Sequence, residues 1–222
     1  SISPLIDLWG FGSESHDNPP SSATIIDALS LIGHKKLQLN PDTQSLKKTH
    51  ARLRIDLSAI AKGFAVDKVS QLLTDQGFSN HLVEIGGELR VSGTNQTNKK
   101  WRIAVEQPDL TTSIAKHGLE ITNRAVATSG DYRNYFVEKG VRRSHIIDPK
   151  TGYPITHNLA SVTVLHDSTV LADAYATALL VMGEKQGKLF AESNNLDVLM
   201  IIRSTDKDSD KFEFWSSSKL FQ

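Results

Sequence analysis

The clearest pattern of apolar and polar residues runs from Ser161 to Gly183. Its first part, SVTVL, is a short apolar run that predicts a buried strand, and a polar turn separates it from a helical pattern. Within that helix Asp173 and Thr177 stand four residues apart, so their side chains project from one face. Most neighbouring positions are alanine or leucine. The polar pair therefore indicates either a site for a hard cation such as Mg²⁺, which prefers oxygen ligands, or a capping and surface pair.

A second strand and helix are predicted between Leu53 and Gly77. The strand covers Leu53–Leu57, and the helix is indicated by an apolar stripe that Gly77 ends. The stripe consists of Ala65, Val66, Val69, Leu72 and Leu73. Between strand and helix lies SAIAKG, where a helix N-terminus and Lys62 are suited to an anionic ligand. The glycine spacing is that of neither a P-loop nor a dinucleotide fingerprint, so a helix cap beside a solvated lysine is the alternative.

Further strands are predicted on both sides of these helices. The segment HLVEIGGELRV reads as one strand interrupted by Gly86-Gly87, which predicts a bulge or a flat group against the backbone. Its Glu84 and Glu88 are either acid–base candidates or residues of a satisfied sheet edge or a solvated face. The run LDVLMIIR predicts a buried strand. Strands and helices alternate irregularly, which favours an α+β fold with largely antiparallel strands.

Composition narrows the classes of function. The 222 residues carry 25 basic and 25 acidic side chains, so no electrostatic footprint for nucleic acid or an anionic membrane is visible. Cysteine is absent, which excludes disulfides, thiolate catalysis and cysteine metal sites. No apolar run approaches the length of a membrane span. The histidines show no defensible metal-ligand spacing.

Two polar phrases in the second half of the chain carry candidate chemistry. In ATSGDYRNYF the serine lacks the flanking glycines of a nucleophile elbow, so a serine hydrolase is rejected. In SHIIDPKTGYP, His145 precedes an Asp-Pro turn. It is either a general base held by that turn or a structural histidine.

Taken in order, several phrases resemble one family: LWGFG, IDLSAIAKGFAVDKV, VEIGGELRVSG, ATSGDYRNYF, SHIIDPKTGYPI and VLADAYATALLVMG. The chain looks like a member of the FAD:protein FMN transferase (ApbE) family. The resemblance implies an α+β, T-fold-like domain covering residues 1–222 and lacking its N-terminal part. It also implies Mg²⁺-dependent transfer of FMN from FAD to a Thr or Ser hydroxyl of a target flavoprotein, with release of AMP. An FAD pyrophosphatase and a non-catalytic flavin-binding protein are the alternatives.

The resemblance also implies which residues hold the metal. The side chains of Asp173 and Thr177 match the family's metal ligands, and Ala59 matches the position that offers a backbone carbonyl. Some relatives have an aspartate immediately before the threonine, but this chain has Ala176. That ligand would be lost or replaced by water.

The remaining implied residues concern the flavin nucleotide and catalysis. Asp56, Lys62 and Ile147 match flavin-nucleotide contacts, and His145 matches a histidine that the family needs for activity. The implied partner is an acceptor flavoprotein subunit of an electron-transport complex. The implied location is the periplasm, with membrane attachment only through a lipid anchor of the full-length form. We accordingly expect further sequence upstream of Ser1.

Overall fold

The chain divides into two units in the computed structural model, which describes residues 2–12, 19–105, 108, 117–132, 135–138, 141–204, 212–218 and 221. The first unit comprises Ser1–Leu57 with Asn134–Thr156, and the second comprises Ser58–Arg133 with His157–Gln222. In chain order the elements are α1 (Ser3–Leu8), α2 (Ser22–Ser30), a 3₁₀ helix (His34–Lys36), β1 (Leu37–Asn40), β2 (Ser45–Lys48), α3 (Ala61–Asp75), β3 (His81–Ile85), β4 (Glu88–Ser92), β5 (Trp101–Val105), β6 (His117–Ile121), β7 (Arg124–Gly130), β8 (Tyr135–Glu138), β9 (Val141–Ser144), β10 (Leu159–His166), α4 (Thr169–Ser193), β11 (Asp197–Arg203) and β12 (Phe212–Ser216).

The second unit is built around a six-stranded sheet with the order β12-β11-β10-β7-β4-β3. All neighbouring strands pair antiparallel, which confirms the predicted α+β fold. Helices α3 and α4 pack against one face. On the other face, apolar residues of the β5–β6 hairpin complete a core with Leu89, Val126, Leu165 and Leu199 of the sheet. Because β10 is covered on both faces, seven of its eight residues are buried, instead of every second one.

Helix α4 is interrupted once. Gly183 has φ 76° and ψ 173°, values outside the helical region, so the 25 residues form two helical segments. The first segment carries Asp173 and Thr177. None of the described helices combines the length and the apolar character that a membrane crossing requires.

The first unit has a small core of its own. Helices α1 and α2 pack together, and Ile147 joins Leu5, Trp9 and Ile25 in this core. The Trp9 indole N–H donates to the carbonyl of Gly152 at 2.8 Å, which satisfies a buried polar group. Two antiparallel hairpins, β1–β2 and β8–β9, complete the described part of this unit.

Two predicted strand features are wrong. The described segment 53–57 is not a strand, since Arg54 is engaged by the side chains of Asp7 and Ser3 and not by a neighbouring strand. The pair Gly86-Gly87 is not a bulge within one strand but the two-residue turn of the β3–β4 hairpin. Both glycines have positive φ, 60° and 99°, as tight hairpin turns with two left-handed residues require.

The helix predicted before Gly77 is present as α3, but its inward face differs from the predicted stripe. Val69 and Leu72 are 41% and 57% exposed. Val66 is buried as the stripe predicts, but the other buried positions are Gly63 and Ser70. Small and polar residues face inward because α3 lies very close to α4 at Gly63.

Candidate functional site

Asp173 is buried at the contact between α4 and the beginning of α3. It is 3% exposed, and its Oδ2 accepts a hydrogen bond from the backbone N–H of Gly63 at 3.0 Å. That N–H lies in the first turn of α3, where backbone donors lack a partner within the helix and a negative charge is stabilised. The side-chain cap of α4 itself is Ser168, not Asp173. Asp173 is therefore not a surface residue, and the helix whose first turn it caps is α3, not α4.

Gly63 permits the approach of the two helices. A Cβ atom at this position would lie 2.4 Å from the carbonyl oxygen of Thr169 and 3.0 Å from the Cβ of Asp173. Both distances are shorter than ordinary van der Waals contact, and the first neighbour is backbone. A glycine is therefore required for the N–H of α3 to reach the carboxylate on α4.

Lys62, the residue before Gly63, pairs with a carboxylate that the sequence left ambiguous. Its Nζ lies 2.5 Å from Oε2 of Glu88, and it also donates to the carbonyl of Gly86 at 3.4 Å. The Glu88 side chain is only 2% exposed, whereas that of Lys62 is 45% exposed. The prediction of a simply solvated lysine is therefore wrong. Its ammonium is held by a buried acid on β4 while the side chain remains accessible.

The electrostatics of this cluster favour a cation. Burial raises the pKa of Asp173, although the Gly63 N–H and the Lys62 ammonium oppose the shift. Burial also raises the pKa of Glu88, Lys62 opposes the shift, and the charge of Asp173 adds to it. Two buried carboxylates thus share one ammonium. A bound divalent cation would offset the remaining negative charge and the cost of its burial.

Thr177 lies one turn after Asp173 and contacts the sheet. Its Oγ1 is 3.1 Å from the Oγ of Ser129 on β7. Carboxylate, hydroxyl and backbone carbonyl oxygens fit the ligand preferences of Mg²⁺. Among the described residues no three His, Cys, Asp or Glu side chains cluster as a ready metal site. A metal here would therefore need hydroxyl, carbonyl, water or phosphate oxygens as well, and Ala59 lies in the turn that precedes α3.

The other predicted residues belong to the first unit. His145 is half-buried, with its ring centroid 6.2 Å from that of Phe11 in an edge-on arrangement. Ile147 is 1% exposed and lies in the core of this unit. Asp56 is half-buried in the segment before α3. The structure brings together Lys62, Glu88, Asp173 and, through Gly63, the start of α3. The roles of Asp56, His145 and Ile147 stay predictions.

Sequence reasoning missed the roles of two residues in this cluster. Glu88 was noticed only as one of two glutamates beside the glycine pair. Ser129 was considered only as a nucleophile and dismissed. The hairpin turn at Gly86-Gly87 was the available signal, because it places Glu88 first on β4, directly opposite Ile85.

Comparison with known proteins gives a consistent result. The model of the ApbE family matches residues 1–200. The chain is 45% identical over 207 residues to the FAD:protein FMN transferase of Vibrio cholerae, covering 93% of this chain and 61% of that protein. It is 41% identical to the FAD:protein FMN transferase of Haemophilus influenzae, covering 99% of this chain and 66% of that protein. The chain thus spans about three fifths to two thirds of these curated relatives.

Solved structures show the same likeness. The flavin transferase ApbE from Vibrio cholerae superposes with a TM-score of 0.87 at 42% identity, covering 99% of this chain and 68% of that one. The apo form of Pseudomonas stutzeri flavinyl transferase ApbE gives a TM-score of 0.87 at 38% identity, covering 100% and 66%.

Proposed function

Because this chain belongs to the ApbE family, we propose that it transfers FMN from FAD to a Thr or Ser hydroxyl of an acceptor flavoprotein. In this reaction the acceptor oxygen forms a phosphoester bond to the FMN phosphorus. The pyrophosphate bond breaks, AMP leaves, and the hydroxyl proton passes to a base. The printed names of the relatives support FAD as the substrate and a protein as the acceptor.

The observation that carries the proposal is the buried carboxylate of Asp173, held by the N-terminal turn of α3 next to the Lys62–Glu88 pair. We propose that Asp173, Thr177 and the Ala59 carbonyl hold Mg²⁺, which when bound neutralises charge on the pyrophosphate. Lys62 would bind the flavin nucleotide at its phosphate, because its ammonium is accessible yet anchored by Glu88. The phosphate of the bound substrate would then contact an ammonium that Glu88 already holds in place.

The roles of the first-unit residues are proposed from the family resemblance. His145 would accept the proton of the acceptor hydroxyl, and Asp56 and Ile147 would contact the flavin nucleotide. Full transferase activity in a His145→Ala variant would refute the role of the histidine.

One experiment separates the candidate activities. The chain is incubated with FAD, Mg²⁺ and an acceptor flavoprotein subunit of an electron-transport complex, and the acceptor is then analysed by mass spectrometry while AMP is quantified. Covalent FMN on the acceptor supports the transferase. AMP released without labelled acceptor indicates FAD hydrolysis, and bound flavin without AMP indicates a flavin-binding protein.

Matched variants test the metal residues in the same assay. Asp173→Asn should abolish the Mg²⁺-dependent reaction. Asp197→Asn removes a half-buried carboxylate that pairs with Arg124 at 2.5 Å on the sheet and is not a proposed ligand, and it should leave the reaction unchanged. An Asp173→Asn variant with normal Mg²⁺ dependence would contradict the proposed metal site.

We also propose, from the resemblance, that the protein acts in the periplasm and that its full-length form is lipid-anchored. Cell fractionation with membrane and periplasmic markers tests this. Recovery of the native protein in the cytoplasmic fraction would contradict it.

A further inference from the structure

Asp67 of α3 receives an unusual number of hydrogen bonds from the start of α4. Its Oδ1 accepts from the backbone N–H of Thr169 at 3.0 Å and from the hydroxyl of the same residue at 2.7 Å. Its Oδ2 accepts from the Ser168 hydroxyl at 2.9 Å and from the Val170 N–H at 3.2 Å. One carboxylate thus receives four hydrogen bonds from three consecutive residues of another helix.

These bonds cap α4 from outside. The first backbone N–H groups of a helix have no partner within it, and a negative charge near them is stabilised by the helix dipole. Burial alone would raise the pKa of Asp67, but the bonds from Thr169, Val170 and Ser168 outweigh it and lower the pKa. The carboxylate is therefore charged at neutral pH. The guanidinium of Arg90 on β4 lies 3.5 Å from its Oδ1 and adds a nearby cation.

Two hydrogen-bonded contacts between the described residues of α3 and α4 lie one turn apart, and Asp67 makes one of them. Gly63 lies one turn earlier on α3, on the same face, and its N–H donates to Asp173 at 3.0 Å. Asp173 in turn lies one turn after Thr169 on α4. Two successive turns of one helix are thereby joined to two successive turns of the other. Helix α4 also packs on β7 and β10, and the two hydrogen-bonded contacts with α3 add a directional restraint on its sliding and rotation.

We propose that Asp67 is a positioning residue: it sets the axial position and rotation of α4 on α3, and so places Asp173 and Thr177. Its consequence for metal binding rests on the proposed function. Asp67 acts through α4 and is not itself a proposed ligand. This role accounts for an acidic residue in the AVDKV phrase that neither the flavin contacts nor the metal ligands use.

A residue that merely stabilised the fold would change the free energy of unfolding and nothing else. A positioning residue changes the placement of Asp173 in molecules that are still folded. The Gly63 amide reports that placement directly, because its hydrogen exchanges slowly only while it is bonded to Asp173. This readout needs neither metal nor flavin.

The experiment compares Asp67→Ala and Asp67→Asn with Asp197→Asn, the matched control that breaks the half-buried ion pair to Arg124 in the same unit. Amide exchange of Gly63 is measured by NMR in the metal-free chain. Mn²⁺ binding is measured by electron paramagnetic resonance, at a temperature where circular dichroism shows every variant folded. In Asp67→Ala, Gly63 should exchange about fivefold faster or more. The Kd of the Asp67→Ala variant for Mn²⁺ should rise about tenfold or more, as it does when other residues that orient metal ligands are replaced.

Asp67→Asn, which keeps an acceptor oxygen but loses the charge, should fall between wild type and Asp67→Ala. It also carries the test if the alanine variant does not fold. Asp197→Asn should match wild type in both readouts. Unchanged Gly63 exchange in the folded Asp67 variants, or an equal change in Asp197→Asn, overturns the positioning role. If wild type binds no Mn²⁺, the proposed metal site is refuted. Faster Gly63 exchange in the Asp67 variants would still support the positioning role in that case.

Discussion

Replacing Gly63 with alanine tests whether the close approach of α3 and α4 is as tight as the structure shows. The new methyl carbon would lie 2.4 Å from the carbonyl oxygen of Thr169 and 2.7 Å from its carbonyl carbon. To reach ordinary contact at 3.4 Å, the backbone of α4 would have to retreat by about 1 Å. The same retreat would lengthen the hydrogen bond from the residue 63 N–H to Asp173.

The magnitude follows from three opposing effects. Alanine in place of a helical glycine stabilises a helix by about 1 kcal/mol. Overpacking against a backbone that cannot step aside costs about 1–3 kcal/mol, and the weakened hydrogen bond to Asp173 costs about 1 kcal/mol more. We therefore expect Gly63→Ala to lower the free energy of unfolding by about 1–3 kcal/mol.

Gly187→Ala is the matched control. Gly187 is also a buried helical glycine, on α4. The nearest neighbour of an added Cβ would be the flexible end of Met200, with Cε at 2.9 Å. Met200 can move aside, and the next neighbour, the Leu179 carbonyl oxygen at 3.3 Å, is only slightly too close. The helix gain should therefore leave the stability of this variant within about 1 kcal/mol of wild type. Urea unfolding followed by circular dichroism measures both. If Gly63→Ala proves as stable as Gly187→Ala, the described contact between the two helices is wrong.

Other variants probe separate parts of the second unit. Asp67→Asn should cost about 1–2 kcal/mol at pH 7. Because the pKa of Asp67 is lowered from about 3.8 in the folded state, its stabilisation is present above that pH and is lost as the pH falls through the folded pKa. The difference between wild type and variant should accordingly shrink below about pH 4 in unfolding curves. The Arg203 guanidinium donates to the carboxylate of Asp131, with Nη1 at 2.9 Å from Oδ2. Asp131→Ala leaves that guanidinium without its paired carboxylate. It should destabilise the protein by about 2–4 kcal/mol in the same assay, and a loss below experimental error would contradict the pair. Thr177→Val removes the hydroxyl next to Ser129 with little change of shape. It should cost about 1 kcal/mol of stability and raise the Mg²⁺ concentration for half-maximal activity, whereas unchanged Mg²⁺ dependence would rule out Thr177 as a ligand.

The sequence predicted the main elements of the second unit because their patterns are local. The apolar run of β10 and the helical pattern of α4 depend on burial that neighbouring residues share, so both could be read from the chain alone. The predicted stripe of α3 was wrong at Leu72 for the converse reason. The inward face of that helix is chosen by its distance to α4, and the distance depends on Gly63 and Thr169, which are more than a hundred residues apart.

The candidate site was predicted only in part, for a similar reason. Asp173 and Thr177 share a face of one helix, so their spacing is visible in the sequence. Their hydrogen-bond partners come from other elements: the N–H of Gly63 for Asp173 and the hydroxyl of Ser129 for Thr177. The assignment of Glu88 needed the hairpin register, and no local pattern states which strand lies below which helix. Family resemblance supplied the metal hypothesis, but not the contacts that orient its ligands.

The interruption at Gly183 makes the orientation of the first half of α4 independent of that of the second half. An unbroken helix of 25 residues would be about 38 Å long, and any tilt of its C-terminal end would also change the orientation of Asp173. The break leaves a segment of about 21 Å from Thr169 to Met182, clamped to α3 at its beginning. A side chain at position 183 would meet the ring of His157 at 2.8 Å, so the joint itself is sterically specified. The segment after it packs through its own buried residues, Gly187 and Ala191, so its direction is set separately from that of the half that bears Asp173.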